Sequence, residues 1–389
     1  MRVFLIAGEA SGDRLGAALM RGLSEAAPEP VSFTGIGGTG MTAAGLESLF
    51  PMDEISIMGI GEILKEYRAL KRRIRETAEA ILAQKPDVVV TIDLPEFNLR
   101  VAELVKARSD IRIVHYVAPT VWAWRPKRAV KMARHIDQVL ALLPFEPPYM
   151  EAAGMRCDFV GHPVVTDPQA DAAEVAAFRE ARGLGEAPLC LVLPGSRRSE
   201  IARLLPVFGE VVARMAEKRP DLRFVLPAAH GVAGAVEAAV ADWPVAPLVL
   251  DPRGADGSGG PEAKRAAFAA ADVALAASGT VSLELAAAAT PMVIAYDMNW
   301  LSRQIIGRML LTDTVTLVNL VSETRSVPEF IGKDCRPRPV AEAALAVLEA
   351  PKAQDAAMAL TMERLGKGGD HPGLRAARAV LDGLGLAAR

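Results

Sequence analysis

Histidine and cysteine are scarce in this 389-residue chain, and each shortage removes a class of chemistry. The three cysteines, Cys157, Cys190 and Cys335, are scattered and odd in number, without the spacing of a disulfide framework or a zinc site. Free thiols in a reducing cytosol are expected. The five histidines, His115, His135, His162, His230 and His371, show no metal-ligand spacing, and no carboxylate cluster compensates. A metal-independent mechanism is therefore expected, with no metal and no cofactor assigned. Net charge is only −3, so no global positive field invites nucleic acid. No apolar run reaches the length of a membrane span. Val3–Ala7 is too short for the apolar core of a signal peptide and meets Glu9 and Asp13 at once. A cytoplasmic protein is the expectation.

What the chain does have is alternation. Short β-branched runs at Val3–Ala7, Val31–Gly35, Val88–Ile92, Ile111–Val117, Gln138–Leu142 and Asp158–Val160 read as strands. Between them Gly12–Ala26, Gly61–Gln84, Phe97–Ala107 and Pro126–Arg134 read as helices. That order predicts α/β architecture with a parallel sheet. Gly161–Ala170, GHPVVTDPQA, breaks the pattern and marks a domain boundary. A second alternation follows, with strands at Leu189–Leu193, Arg223–Leu226, Leu248–Leu250, Asp272–Ala276 and Met292–Tyr296. The expected organisation is a domain over 1–165, a second over 166–350, and C-terminal helices over 351–389 packing back on the N-terminal domain. Two doubly wound, Rossmann-like units facing a central cleft would bind ligands outside the carboxyl ends of their strands.

Several strand-to-turn junctions carry chemistry. Gly8–Asp13, GEASGD, follows the first strand and sets Glu9 and Asp13 where a Rossmann loop would seat an anion, so a hydroxyl-rich ligand such as a sugar fits better. Helix capping by the same residues is the plainer alternative. Gly35–Gly40, GIGGTG, matches a dinucleotide fingerprint literally but follows the second strand and precedes only a short helix, Met41–Ser48. A close-approach glycine turn is the better reading. Asp93 ends a buried run before Pro95, at a strand tip where a carboxylate can take a proton from an attacking hydroxyl or else cap the next helix. Trp122 and Trp124 stand beside Arg125, Lys127 and Arg128, as sugar stacking and phosphate pairing require, or as core tryptophans.

In the second half, Pro194, Gly195, Ser196 and Arg197 lead a strand into a helix, where backbone donors, helix dipole and guanidinium converge as a pyrophosphate needs. Ser278, Gly279 and Thr280 form a similar turn, and Glu284 stands one turn into the helix, placed to accept from a diol such as a ribose; taken alone, the stretch reads more simply as an ordinary βα turn with Thr280 as the helix N-cap. Arg253–Pro261, RGADGSGGP, reads as a linker. Two segments mix apolar and basic residues as interfacial helices do, Gly61–Gln84 and Trp300–Leu311; solvated helices are the alternative.

Taken together, GEASGD, DLPEFN, YVAPTVWAWR, LPGSRRSE, SGTVSLE and VTLVNL (Val315–Leu320), in this order, resemble the lipid-A-disaccharide synthases from Met1 to about Pro337. The resemblance implies an inverting, metal-independent GT-B glycosyltransferase. Its substrates would be UDP-2,3-diacylglucosamine and 2,3-diacylglucosamine 1-phosphate; its products, UDP and a β-1,6-linked tetraacyl disaccharide 1-phosphate. It makes Asp93 the general base on the acceptor's 6-hydroxyl, Arg197 a diphosphate contact, Glu284 a ribose contact, and Glu9 and Asn319 essential. It further implies peripheral contact with inner-membrane lipid. Glu96 stands where the family pattern has Asp. A homodimer remains open. Competing readings are a transferase or epimerase acting on soluble UDP-N-acetylglucosamine, and a non-catalytic nucleotide-sugar or lipid binder.

Overall fold

A computed structural model describes residues 1–56, 60–254, 259–298 and 311–388, with 60–67 described by backbone alone. The chain divides into two compact units, Met1–Pro163 with Gly368–Arg389, and Val164–Lys367. The segment expected as one C-terminal block, 351–389, is therefore split. Its helix Asp355–Arg364 stays with the second unit, while the last helix, Pro372–Gly383, returns to the first.

The first unit holds seven strands: β1 (Arg2–Ile6), β2 (Ser32–Ile36), β3 (Glu47–Ser48), β4 (Val88–Ile92), β5 (Arg112–Tyr116), β6 (Gln138–Ala141) and β7 (Arg156–Phe159). They pair in parallel in the order β3-β2-β1-β4-β5-β6-β7. Successive side chains of β1 face opposite ways. Phe4 and Ile6 join a core with the helices α3 (Ile60–Gln84) and α4 (Pro95–Lys106); Val3 and Leu5 join another with α1 (Ala10–Ala26) and Pro372–Gly383. Burial of both faces explains why β4 reads VVVTI, apolar with one threonine and no alternation. The short helix expected over Met41–Ser48 is shorter still, α2 (Thr39–Ala43), and Glu47–Ser48 is the edge strand β3.

The second unit repeats the plan with β8 (Leu189–Leu193), β9 (Arg223–Pro227), β10 (Leu248–Leu250), β11 (Val273–Ala276), β12 (Met292–Tyr296) and β13 (Glu329–Ile331), all parallel, in the order β10-β9-β8-β11-β12-β13. In each sheet the strand order reverses once, between β1 and β4 and between β8 and β11. Those reversals are the switch points where open α/β sheets receive ligands. No helix among the described residues is long and apolar enough to cross a membrane. Of the two apolar-basic segments, Gly61–Gln84 falls on α3, and Trp300–Leu311 lies, except for Leu311, outside the described residues.

Candidate active site

At the first unit's switch point, β1 runs into Glu9 and β4 into Asp93. Glu9 is exposed and is the residue before α1, with extended backbone and no side-chain capping bond. Asp13, one turn on, turns inward instead. Its buried carboxylate accepts from the backbone N–H groups of Gly38, Gly40 and Met41 at 2.8, 2.8 and 3.0 Å. The glycine-rich turn GIGGTG thus makes an anion nest, and a carboxylate of the chain itself fills it. No pyrophosphate needs to be invoked there.

Asp93 is half-buried at the tip of β4, and among the described residues no hydrogen bond or ion pair engages its carboxylate. It does not cap α4. That position belongs to Leu94, in left-handed conformation and without a side-chain cap bond. Glu96 projects from the first turn of α4, 3.5 Å from Arg128 and 4.0 Å from Arg100. The two tryptophans separate. Trp122 is buried edge-on against Phe145, with ring centroids 5.2 Å apart, whereas half-buried Trp124 carries the Arg125 guanidinium over its ring at 4.2 Å. Of the two, Trp124 is the one that reaches solvent. His115 is buried beside Thr91 Oγ1 at 2.8 Å; burial and the nearby Arg128 charge push its pKa down to about 4, so it is neutral at pH 7.

At the second switch point one cavity of about 450 Å³ gathers Gly195, Ser196 and Arg197 from the β8 turn with Ser278, Gly279, Thr280 and Glu284 from the β11 turn. Two further residues line it, Lys264, which carried no local signal in the sequence, and Glu200, which ends the LPGSRRSE motif. Lys264 reaches in from the helix Pro261–Ala270 and pairs with Glu284, Nζ to Oε2 at 2.6 Å. Glu200, in the first turn of the helix Arg198–Lys218, folds back over the turn that precedes it. Its Oε2 accepts from Ser196 N at 3.1 Å and Arg197 N at 3.3 Å, and its Oε1 meets Arg197 Nη1 at 3.1 Å. Gly195 has φ +106, and a Cβ there would lie 2.9 Å from Glu200 Cβ, so the turn favours glycine by conformation and by space. The donors of the Gly195–Arg197 turn, like those of Gly38–Met41, already hold a carboxylate.

Asn319 is differently placed. It is buried on the helix Leu317–Ser322, donates to Val327 O at 2.9 Å and accepts from Val327 N at 3.0 Å. Its amide thereby ties the segment at 319 to the one at 327. Among the described residues no group of three or more His, Cys, Asp or Glu side chains is arranged to hold a metal ion.

The family model described as lipid-A-disaccharide synthetase matches residues 3–371. The chain belongs to the lipid-A-disaccharide synthase family. A curated lipid-A-disaccharide synthase from Ruegeria pomeroyi is 64% identical over 384 residues, spanning 99% of this chain and 96% of that relative. One from Rhodospirillum centenum is 46% identical over 385 residues, spanning 98% and 94%. Among solved structures, the UDP-GlcNAc 2-epimerase of Neisseria meningitidis bound to UDP-GlcNAc superposes with a TM-score of 0.66 at 13% identity, covering 99% of both chains. Staphylococcus aureus MnaA with UDP gives 0.64 at 13%, covering 99% of this chain and 97% of that one. These two share the fold. The sequence relatives carry the activity, so the synthase reading stands over the epimerase reading.

Proposed function

We propose that this synthase joins UDP-2,3-diacylglucosamine to 2,3-diacylglucosamine 1-phosphate, with donor and acceptor chemistry assigned to different units. The observation that carries this reading is the contrast between the two switch points. The first presents Asp93 and Glu9; the second presents a cavity in which Arg197 and Lys264, paired with Glu200 and Glu284, stand beside the backbone N–H groups of two turns. Asp93 takes the proton of the acceptor's 6-hydroxyl as its oxygen attacks the donor's anomeric carbon. The bond from that carbon to the diphosphate breaks with inversion, and UDP leaves with the electron pair. Arg197 meets the diphosphate charge. Glu284, oriented by Lys264, accepts from the ribose diol. Glu9 is assigned to the acceptor sugar's hydroxyls, and Asn319 acts by holding the backbone at Val327. Peripheral contact with anionic lipid is assigned to α3, whose Arg68, Lys71, Arg72 and Arg75 are exposed while Leu70 and Ile74 are buried.

Mixing purified protein with both acylated sugars is expected to release UDP. Asp93→Ala is expected to lower kcat about 10²–10⁴-fold. Full turnover by that variant overturns the base assignment, and equal turnover of unacylated UDP-N-acetylglucosamine overturns the substrate assignment.

A further inference from the structure

Asp93 is displayed by backbone that the chain does not adopt unaided. Asp93 has φ +48 and Leu94 φ +43, two consecutive non-glycine residues in the left-handed region. Such residues are strained and persist only where their surroundings over-determine them. Leu94 O accepts from Phe97 N at 3.1 Å and Asn98 N at 3.0 Å, and three more hydrogen bonds hold the peptide groups on either side of the Asp93 Cα. Asp93 N donates to Tyr116 O at 2.9 Å across the β4–β5 pair. The other two come from one side chain. Asn98, fully buried in the first turns of α4, donates from Nδ2 to Asp93 O at 2.7 Å and to Ile92 O at 3.3 Å.

This arrangement needs an amide. Serine and threonine have one hydroxyl hydrogen, whereas Nδ2 has two to divide between consecutive carbonyls. The orientation is unambiguous, because a flipped amide would set Oδ1 against both carbonyl oxygens. Oδ1 itself is buried and, among the described residues, has no hydrogen-bond partner. A buried acceptor left unmade is destabilising, so as a stabilising element Asn98 is a poor choice. As a brace it is a good one. It fixes the peptide planes on both sides of the Asp93 Cα, and the direction of a carboxylate on a two-torsion side chain follows from that backbone.

We propose that Asn98 is a positioning residue of the transferase reaction: its amide locks the strained Ile92–Asp93–Leu94 backbone and so aims the Asp93 carboxylate at the acceptor hydroxyl. The inference rests on the assignment of Asp93 as base. Asn98 touches no substrate and acts through Asp93. Its loss therefore lowers kcat while leaving the KM of both acyl sugars nearly unchanged, and it has no effect once Asp93 is gone.

The test is a double-mutant cycle in the full-length protein. Asn98→Asp keeps the size and removes the donors; Asn98→Ser is smaller and keeps one donor. Each is made alone and with Asp93→Asn, and single-turnover rates, both KM values and the UDP Kd are measured. Asn98→Asp is expected to lower kcat about 10²-fold, Asn98→Ser less. Both KM values and the UDP Kd should stay within about twofold, and neither change should slow Asp93→Asn further. Losses that multiply in the double variants, or a loss expressed in KM, overturn the proposal. Should Asn98→Asp fail to fold, Asn98→Ser gives the same comparison. A fully active Asp93→Asn would overturn the base assignment itself, a distinct result.

Discussion

Replacing Glu200 by glutamine should move binding and stability in opposite directions. The carboxylate lies on the Ser196 and Arg197 amides at 3.1 and 3.3 Å, where the diphosphate is expected, and glutamine keeps its shape without its charge. A carboxylate about 5 Å from one phosphoryl charge is worth about 3 kcal/mol at an effective dielectric of 20. Water and salt in an open cavity reduce this to about 1 kcal/mol. Removing that repulsion corresponds to about fivefold tighter UDP binding. The same carboxylate caps the helix Arg198–Lys218, and weakening the cap costs about 1 kcal/mol, or about 2–4 °C in Tm for a unit of this size. Isothermal titration with UDP and with uridine, alongside thermal melts, reads both effects. Glu200→Gln should bind UDP more tightly, bind uridine unchanged, and melt earlier. If UDP affinity falls together with Tm, Glu200 is a support that stays in place during binding, and the competition argument is wrong.

Other expectations follow from buried groups. Burial pushes the Glu146 carboxyl up from its ordinary 4.5 to about 7, against a bond from Leu143 N–H. The fold therefore favours the protonated acid. That contribution is complete below about pH 4.5 and is lost as pH rises through about 7, so Glu146→Gln should flatten the profile between urea melts at pH 5 and pH 8 by up to about 3 kcal/mol. Asp13→Ala strands one buried and two half-buried N–H groups and should cost about 1–3 kcal/mol in urea unfolding. Gly373→Val would place its Cβ 2.6 Å from Ala18 O, and should lower Tm and expose the C-terminal helix to protease, with time-resolved cleavage between Gly366 and Pro372 as the readout.

The elements most legible in the sequence are those whose signal is local. β4 and β8 announce themselves as unbroken apolar runs because both faces are covered. The turns at Gly195 and Gly279 announce themselves because few residues other than glycine accept their backbone. β3 and β13 carry no such signal; two and three residues long, they exist through pairing with β2 and β12. The site divides in the same way. Strand-tip positions such as Asp93 could be read from where apolar runs stop. The partnerships of Asp13 with Gly38–Met41 and of Lys264 with Glu284 span 20 residues or more and leave no mark on their neighbours. Asn319 illustrates the converse: its position in a motif is visible, but the commitment of its amide to Val327 is visible only in three dimensions.

The return of the last helix to the first unit bears on how the protein is made. Ala376, Ala377, Val380 and Leu381 complete a core begun by Val3 and Leu5, so the unit that leaves the ribosome first is finished last. At about 5–20 residues per second, roughly ten to forty seconds separate synthesis of Pro163 from that of Gly383. Throughout that interval the inward face of α1 lacks its cover, while Val164–Lys367 has all its own strands and can close first. A stop codon placed just before Pro372 would leave the second unit whole and the first as a nascent-chain intermediate made permanent.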